Sequence, residues 1–130
     1  MLNVVIDTNV IISSALTPGR KADIVINSIV ENKNFCWIYS NDILAEYVEV
    51  LSRPKHNFPI ENQMIYINTV KSFGKLITTP PSVIPIRDEK DRCFYAAAVQ
   101  SGAVLITGNK KHFPDEDFIL SPAEFIERYL

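Results

Sequence analysis

Short apolar segments alternate along this chain with longer segments of helical periodicity. The apolar segments are rich in β-branched residues, which predicts buried strands at residues 2–6, 36–39, 103–107 and, more weakly, 118–120. Apolar residues at helical spacing predict helices at residues 10–16, 22–30, 43–51, 60–73 and 92–100. Strands that alternate with helices in this way predict an α/β fold, with a parallel sheet covered by helices on both faces.

Two helix ends carry specific sequence signals. The segment Ser121-Pro122-Ala123-Glu124 places a hydroxyl at the N-cap, proline at the first helical position and glutamate at the third. This capping box predicts the start of the last helix. Gly102 follows the Ala-rich helix and is expected at its C-terminal cap. Residues 78–85 contain three prolines and predict an irregular bridge within a single domain of residues 1–130.

Composition narrows the class of protein. The chain has 130 residues, 47% of them hydrophobic, and a net charge of −2, which excludes a polybasic nucleic-acid-binding protein and an acidic disordered tail. Its four glycines form no phosphate-binding cluster. Cys36 and Cys93 lie outside any CxxC motif and are expected to be reduced thiols. No targeting segment or apolar stretch of membrane-spanning length is found, so a cytoplasmic location is expected.

Ligands of a parallel sheet bind beyond the carboxyl ends of its strands, and polar residues follow those ends here. Asp7 follows the first predicted strand directly, and a carboxylate there is costly without a partner. The alternative is that Asp7 or Asn9 caps the helix that begins at Val10. Glu46 lies among apolar neighbours on the helix after the second strand, and its alternative is a solvated position at the helix edge.

Further candidates come from the second half of the chain. Asp88 and Asp91 are three residues apart at a predicted helix start and point to the same side. Capping explains Asp88 well and Asp91 only in part. Thr107 and Asn109 follow the third predicted strand, where a Thr-Gly-Asn turn offers hydroxyl and amide oxygens to a site. Glycine and asparagine are also common in ordinary turns, which is the simpler explanation.

All of these positions fall at strand ends or in the first helical turns after them. Right-handed crossovers would bring them to one edge of the sheet; they are Asp7, Glu46, Asp88, Asp91 and Asn109. Clustered carboxylates repel one another unless a cation lies among them. Oxygen donors without cysteine or histidine suit Mg²⁺ or Mn²⁺, which would bind phosphate and orient an attacking water.

At these residues the sequence resembles the PIN-domain nucleases, in particular the toxin-like bacterial and archaeal branch related to VapC. Four matching segments occur in order along the chain: VVIDTNV at residues 4–10, SNDILAEYVEVL at 40–51, DEKDRCFYAAA at 88–98 and LITGN at 105–109. The opening motif alone is weak, but four segments at these intervals are specific. The resemblance spans essentially the whole chain.

The resemblance implies a three-layer α/β/α sandwich around a short parallel sheet, and a Mg²⁺- or Mn²⁺-dependent endoribonuclease that acts on single-stranded RNA. Asp7, Glu46 and Asp91 correspond to the three core acidic ligands. Asp88 resembles an additional catalytic acid. Thr107 matches a small hydroxyl residue near the metal, and Asn9 is expected to orient Asp7.

Asn109 departs from the family pattern, because many relatives carry a fourth aspartate there. Its amide oxygen is still expected to coordinate a metal ion or to bind a metal-bound water. The site loses one negative charge, however, so weaker metal affinity or a greater dependence on Asp88 is expected.

The resemblance also implies phosphodiester hydrolysis by a metal-activated water, which Asp91 or Glu46 would orient or deprotonate. RNA phosphates are expected to contact Lys110, Lys111 and Arg92. His56 and His112 are isolated in sequence and are expected to be surface residues, with at most a phosphate contact for His112. The resemblance further implies a cognate antitoxin protein and a homodimer as partners.

Three alternative functions compete with this interpretation. A haloacid-dehalogenase-type enzyme needs a second aspartate two residues after the first, and Asn9 stands there. A receiver-type signalling domain needs an aspartate at the end of the third strand of its sheet, but no aspartate lies between Asp42 and Asp88. A degenerate PIN domain that binds RNA or protein without catalysis stays open, since Asn109 gives it some support.

Overall fold

The structure is a computed structural model that describes residues 1–79 and 91–130, together with the backbone of residues 89 and 90. Five short strands form one parallel sheet, and their bounds are Leu2–Ile6 (β1), Phe35–Tyr39 (β2), Gly74–Leu76 (β3), Val104–Ile106 (β4) and Ile119–Leu120 (β5). The helices are Thr8–Leu16 (α1), Lys21–Glu31 (α2), Asn41–Leu51 (α3), Ile60–Phe73 (α4), Glu89–Ser101 (α5) and Pro122–Tyr129 (α6).

Helices cover both faces of this sheet. Val4, Val5 and Ile6 of β1 are consecutive and fully buried. Because successive side chains of a strand point to opposite faces, burial of all three requires a covered sheet on each side. The predicted α/β/α class and the parallel sheet are therefore confirmed.

The strand order is β3-β2-β1-β4-β5. From β1 the chain builds outwards through β2 to β3, and it then returns to the other side of β1 with β4 and β5. The direction of winding reverses between β1 and β4, which pair in register from Val4 to Ile6. This position is the topological switch point, where open α/β sheets bind their ligands.

The strand β3 was not predicted. It has only three residues, it lies at the sheet edge, and two of its side chains are exposed, so it carries no buried apolar pattern. Gly74 makes the strand possible, since a Cβ atom there would lie 2.5 Å from the carbonyl oxygen of Val70 and 2.8 Å from the Tyr39 ring. The absent side chain lets the chain pass directly from α4 into the edge of the sheet.

Predicted helix ends agree with the structure at both signalled positions. Ser121 and Glu124 form the capping box of α6, and Gly102 follows α5 with a φ of +62°. Helix α1 begins at Thr8, two residues before its predicted start. Most of the proline-rich bridge and the whole of Asp88 lie outside the described residues. No helix in the described part of the chain is long and apolar enough to cross a membrane.

Candidate active site

The Asp7 side chain lies at the switch point, immediately after β1. It is buried, with 5% of its surface exposed. Asp7 is the N-cap residue of α1 by backbone position, but its side chain makes no capping hydrogen bond. Its Oδ2 atom instead accepts a hydrogen bond of 2.7 Å from the hydroxyl of Thr107, which follows β4. The capping alternative therefore does not explain this carboxylate.

The turn after β4 is fixed from two sides. The hydroxyl of Thr107 accepts a hydrogen bond of 3.0 Å from the backbone N–H of Asn109. The Oδ1 atom of Asn9 accepts one of 2.9 Å from the backbone N–H of Gly108. In the structure Asn9 thus holds the turn that carries Thr107 and Asn109, whereas Thr107 is the residue that orients Asp7.

Burial and charge make Asp7 unusually hard to ionise. Burial raises the pKa of this carboxyl from 3.8 to about 6. The hydrogen bond from Thr107 lowers the pKa in part, and the nearby charge of Asp91 raises it again. The negative charges of Asp7 and Asp91 are therefore close enough to act on each other.

Asp91 lies in the first turn of α5, and its side chain is 13% exposed. His112 connects Asp91 to the turn after β4. The Nδ1 atom of His112 is 3.3 Å from Asp91 Oδ2, and the Nε2 atom of His112 is 2.9 Å from the amide nitrogen of Asn109. The side chains of Asp7, Thr107, Asn109 and Asp91 are thus gathered at the carboxyl edge of β1 and β4.

Tyr47 positions helix α3 beside this group. Its buried hydroxyl donates a hydrogen bond to the carbonyl oxygen of Ile6, the residue before Asp7. The indole N–H of Trp37 donates to the same hydroxyl at 3.4 Å. Burial raises the pKa of Tyr47, so this hydroxyl keeps its proton and stays a donor. The contact joins the middle of α3 to the end of β1.

Glu46 precedes Tyr47 and is half-buried. Its charge acts on the thiol of Cys93 in α5, as do the charges of Asp42 and Asp7. Together with burial, the largest cause, they raise the pKa of Cys93 to about 12. Glu46 therefore lies on the side of α3 that faces the acidic group, and Cys93 stays a protonated, reduced thiol.

The predicted RNA-binding cations occupy different surroundings. Lys111 is exposed, and Arg92 is half-buried at the start of α5. Lys110 is also exposed, but its Nζ atom lies 3.0 Å from Glu124 of α6. This ion pair attaches the turn at residues 109–112 to the capping box of the last helix.

Sequence reasoning missed His112 and Tyr47. His112 was expected to be an isolated surface residue, yet it contacts both Asn109 and Asp91. The sequence signal was the spacing of three residues between Asn109 and His112. In the structure Lys110–His112 form a 3₁₀ turn with Asn109 as its N-cap. Because this helix has three residues per turn, positions 109 and 112 lie on the same side. Tyr47 gave no such signal, since its partner Ile6 is 41 positions away.

The described residues include no group of three or more His, Cys, Asp or Glu side chains placed to hold a metal ion by themselves. The donor set nevertheless fits Mg²⁺ or Mn²⁺. Mg²⁺ in proteins is commonly held by one or two carboxylates, with water and substrate phosphate as the other ligands. Asp7 and Asp91 supply two carboxylates whose mutual repulsion a divalent cation would relieve.

Comparison with known proteins decides the family. A family model described as the PIN domain matches residues 3–111 of this chain. The chain belongs to the PIN domain family. The uncharacterized protein MJ1680 of Methanocaldococcus jannaschii is 32% identical over 143 residues, which cover 98% of this chain and 92% of that protein.

Two solved structures share the fold of this PIN domain. One is VapBC2 from Rickettsia felis bound to a DNA fragment from its promoter, with a TM-score of 0.62, 16% identity, and coverage of 92% of this chain and 97% of the matched chain. The other is VapBC-1 from nontypeable Haemophilus influenzae, with a TM-score of 0.58, 19% identity, and coverage of 86% and 90%. The PIN domain family predicted from the sequence is confirmed, and the two solved structures share its fold.

Proposed function

We propose that this PIN domain is a Mg²⁺- or Mn²⁺-dependent endoribonuclease that hydrolyses phosphodiester bonds in single-stranded RNA. One observation carries the proposal: the buried carboxylate of Asp7 lies at the switch point, is held by Thr107 and is close to the charge of Asp91. A folded protein keeps a costly buried carboxylate of this kind mainly where the carboxylate has a function.

Each residue has a distinct part in this reaction. Asp7 and Asp91 would hold the cation, with Glu46 as the third acidic ligand and the amide oxygen of Asn109 as a further donor. When bound, the cation neutralises the scissile phosphate and lowers the pKa of the attacking water. Thr107 keeps Asp7 in one orientation, and Asp91 or Glu46 accepts the proton of the water. Asp88, the additional catalytic acid of the proposal, lies outside the described residues.

The RNA would be held by cations at the rim of the site. Lys111 and Arg92 are the two cations that we assign to phosphate contacts, with Lys110 shared between phosphate and Glu124. Phosphate contacts fix the position of a strand without reading its sequence. The identity of the target RNA therefore depends on other parts of the surface.

The proposal extends to the biological setting of the enzyme. The solved structures with the same fold come from VapBC assemblies, which supports a cognate antitoxin as protein partner and a role as the toxin of such a pair. Pairing of two copies is the second association that we propose, and cytoplasmic RNA is the substrate pool. Helix α4 exposes Ile65 and Phe73, which gives the chain apolar surface for association.

A degenerate PIN domain that binds RNA or protein without catalysis is the second candidate. Two points favour it: the sequence resemblance aligns Asn109 with an aspartate of many PIN domains, and the described part of the chain holds no three-residue metal group. This alternative predicts that the protein binds single-stranded RNA equally well with and without divalent cations, and that it leaves the RNA intact.

Cleavage of a labelled single-stranded RNA tests the proposal. Wild-type protein is expected to cleave with Mn²⁺ and not with EDTA. Asp7→Asn is expected to lower the cleavage rate by roughly 100-fold or more while the circular dichroism spectrum is unchanged, because a neutral amide is a weaker cation ligand than a carboxylate.

Asp117→Asn is the matched control. Asp117 is exposed and lies just before β5, at the opposite end of the sheet from the site. The Asp117→Asn variant should cleave the RNA at the wild-type rate. Full activity of purified Asp7→Asn protein would exclude the assignment, and RNA binding without cleavage by wild-type protein would favour the degenerate domain.

A further inference from the structure

A continuous chain of contacts joins the two carboxylates at the centre of the site. Asp7 accepts from the Thr107 hydroxyl, which accepts from the backbone N–H of Asn109. The side chain of Asn109 contacts His112, and His112 contacts Asp91. The sequence predicted at most a phosphate contact for His112, yet His112 completes the path from β1 to α5.

The two ring nitrogens of His112 contact two different kinds of group. The amide nitrogen of Asn109 is a donor, so the Nε2 atom at 2.9 Å must accept. The other ring nitrogen, Nδ1, lies 3.3 Å from the Oδ2 atom of Asp91, which is an ion-pair distance. His112 is therefore hydrogen-bonded to Asn109 on one side and lies beside the carboxylate of Asp91 on the other.

This arrangement also determines which atom of Asn109 is available to a ligand. Its amide nitrogen is used by His112. The carbonyl oxygen Oδ1 is the remaining polar atom of the side chain, and oxygen is the donor that Mg²⁺ and Mn²⁺ prefer. The contact with His112 therefore leaves the amide oxygen of Asn109 as the atom that a cation could bind.

Local structure holds His112 in place. Its backbone N–H donates to the carbonyl oxygen of Asn109 at 3.2 Å and closes the 3₁₀ turn. Phe113, the next residue, is buried in the core, and Lys110 within the turn is paired with Glu124. The ring is nearly half exposed, but its backbone is anchored on both sides.

We propose that His112 is a positioning residue of the metal site, which orients the carboxylate of Asp91 and the amide oxygen of Asn109 towards the same divalent cation. The inference rests on the proposed metal-dependent function. It gives the neutral side chain of Asn109 a defined part in the site, because the contact with His112 fixes its amide nitrogen. Groups that orient metal ligands in this way typically contribute 10- to 100-fold to metal affinity.

The test measures Mn²⁺ binding by calorimetry without RNA, so that the readout does not depend on catalysis. His112→Ala is expected to raise the Kd for Mn²⁺ by roughly 10-fold or more. His112→Asn keeps a donor near the position of Nδ1 and should recover part of the affinity through Asp91. His112→Gln keeps an acceptor near the position of Nε2 and should recover part of it through Asn109.

His56 supplies the matched control, because it is the other histidine of the chain. It stacks on Phe58, with ring centroids 5.4 Å apart, in a 3₁₀ turn after α3. His56→Asn should bind Mn²⁺ with the wild-type Kd. A thermal melt of each variant separates loss of the site from loss of the fold, and the conservative variants keep the test valid if His112→Ala does not fold.

A combined substitution tests the path through Asn109. If His112 acts partly by orienting that amide, Asn109→Ala with His112→Ala should weaken Mn²⁺ binding by less than the product of the two single effects. Strictly multiplicative effects would contradict the coupling. Cleavage assays should show a lower kcat for His112→Ala with little change in the KM for RNA, because His112 acts on the metal ligands.

The outcomes separate this inference from the proposed function. Wild-type Mn²⁺ affinity in His112→Ala, together with lost binding in Asp7→Asn, would overturn the role of His112 and leave the metal site standing. Failure of the wild-type protein to bind Mn²⁺ would overturn the proposed function, and the role of His112 with it. Weakened binding in His112→Ala with partial recovery in His112→Asn or His112→Gln would support both.

Discussion

Burial of the Asp7 carboxylate lowers the stability of the protein as long as no cation is bound. Its pKa is about 6 in the fold and 3.8 for the ordinary side chain, and burial is the largest cause. When folding raises the pKa of a carboxyl group, the group contributes stability at pH values below its pKa in the unfolded chain. This contribution is lost as the pH rises through the pKa of the group in the folded protein. The metal-free protein should therefore become less stable between about pH 4 and pH 7.

Asp7→Asn removes this cost, so we expect the variant to be more stable than wild type in EDTA. At pH 7.5 the gain in unfolding free energy should be on the order of 2–3 kcal/mol, since one pKa unit corresponds to about 1.4 kcal/mol. At pH 5 the gain should be smaller, because most wild-type Asp7 is then protonated. Urea unfolding at both pH values measures the difference.

A pH-independent effect, or a less stable Asp7→Asn variant, would contradict this account of Asp7. The result bears on the cleavage test as well. A variant that is more stable than wild type and yet inactive has lost chemistry and has kept its fold, so instability cannot explain the missing activity.

The ends of helices and strands, more than their interiors, build this site. Helix α6 shows how an end is secured: the Ser121 hydroxyl accepts from the backbone N–H of Glu124 at 3.1 Å, and Glu124 accepts from the backbone N–H of Ser121 at 2.9 Å. These bonds and Lys110 hold the pKa of Glu124 down at about 2. The same glutamate thus caps a helix and anchors the turn that carries His112.

Ser121→Ala should lower the unfolding free energy by about 1 kcal/mol, because the first turn of α6 loses its cap. Urea unfolding at neutral pH measures this loss. Ser52→Ala is the control, since Ser52 is exposed at the C-terminal end of α3 and its hydroxyl donates to the carbonyl oxygen of Glu49 in the same helix. This substitution should change stability by less than about 0.5 kcal/mol. Equal effects of the two substitutions would contradict the role of the cap.

Elements with a strong local pattern were predictable, and those without one were not. The capping box of α6 and the core strand β1 follow directly from the sequence, because residues that are neighbours in the chain determine them. Strand β3 depends on pairing with β2, from Trp37 to Gly74, and on the space beside Tyr39. No window of sequence contains that information.

The whole molecule has an almost balanced charge, with thirteen basic and fifteen acidic side chains. Binding of RNA must therefore come from a local group of cations and not from the total charge. With Lys111, Arg92 and a partly engaged Lys110 as the contacts, about three phosphates would be neutralised. The affinity for RNA should therefore be moderate, and it should fall only moderately as the salt concentration rises.

Salt dependence of RNA binding tests this estimate with the cleavage-deficient Asp7→Asn variant. At about 0.7 per phosphate, three contacts give a slope of about −2 in log affinity against log salt. The Kd should rise roughly 10- to 20-fold between 50 and 200 mM KCl. Lys111→Ala should make the slope shallower, whereas Lys33→Ala, at an exposed position between α2 and β2, should not change it. A slope steeper than about −4 would contradict the small cation group.

Sequence alone determined the alternation of strands and helices, the parallel sheet and the strand-end acids. These follow from apolar periodicity and from the rule that parallel strands end at one edge, and both are properties of short segments. The family followed from four motifs in order along the chain. Asp7, Asp91, Thr107 and Asn109 could therefore be named before their geometry was known.

Tertiary structure alone decided how those residues meet. Thr107 and Asp7 are 100 positions apart, and their hydrogen bond exists only because β4 pairs with β1 at the switch point. The raised pKa of Asp7, the support of α3 by Tyr47 and the contact of His112 with Asp91 arise in the same way. Such features depend on distance and burial, which the folded chain sets and a linear pattern does not contain.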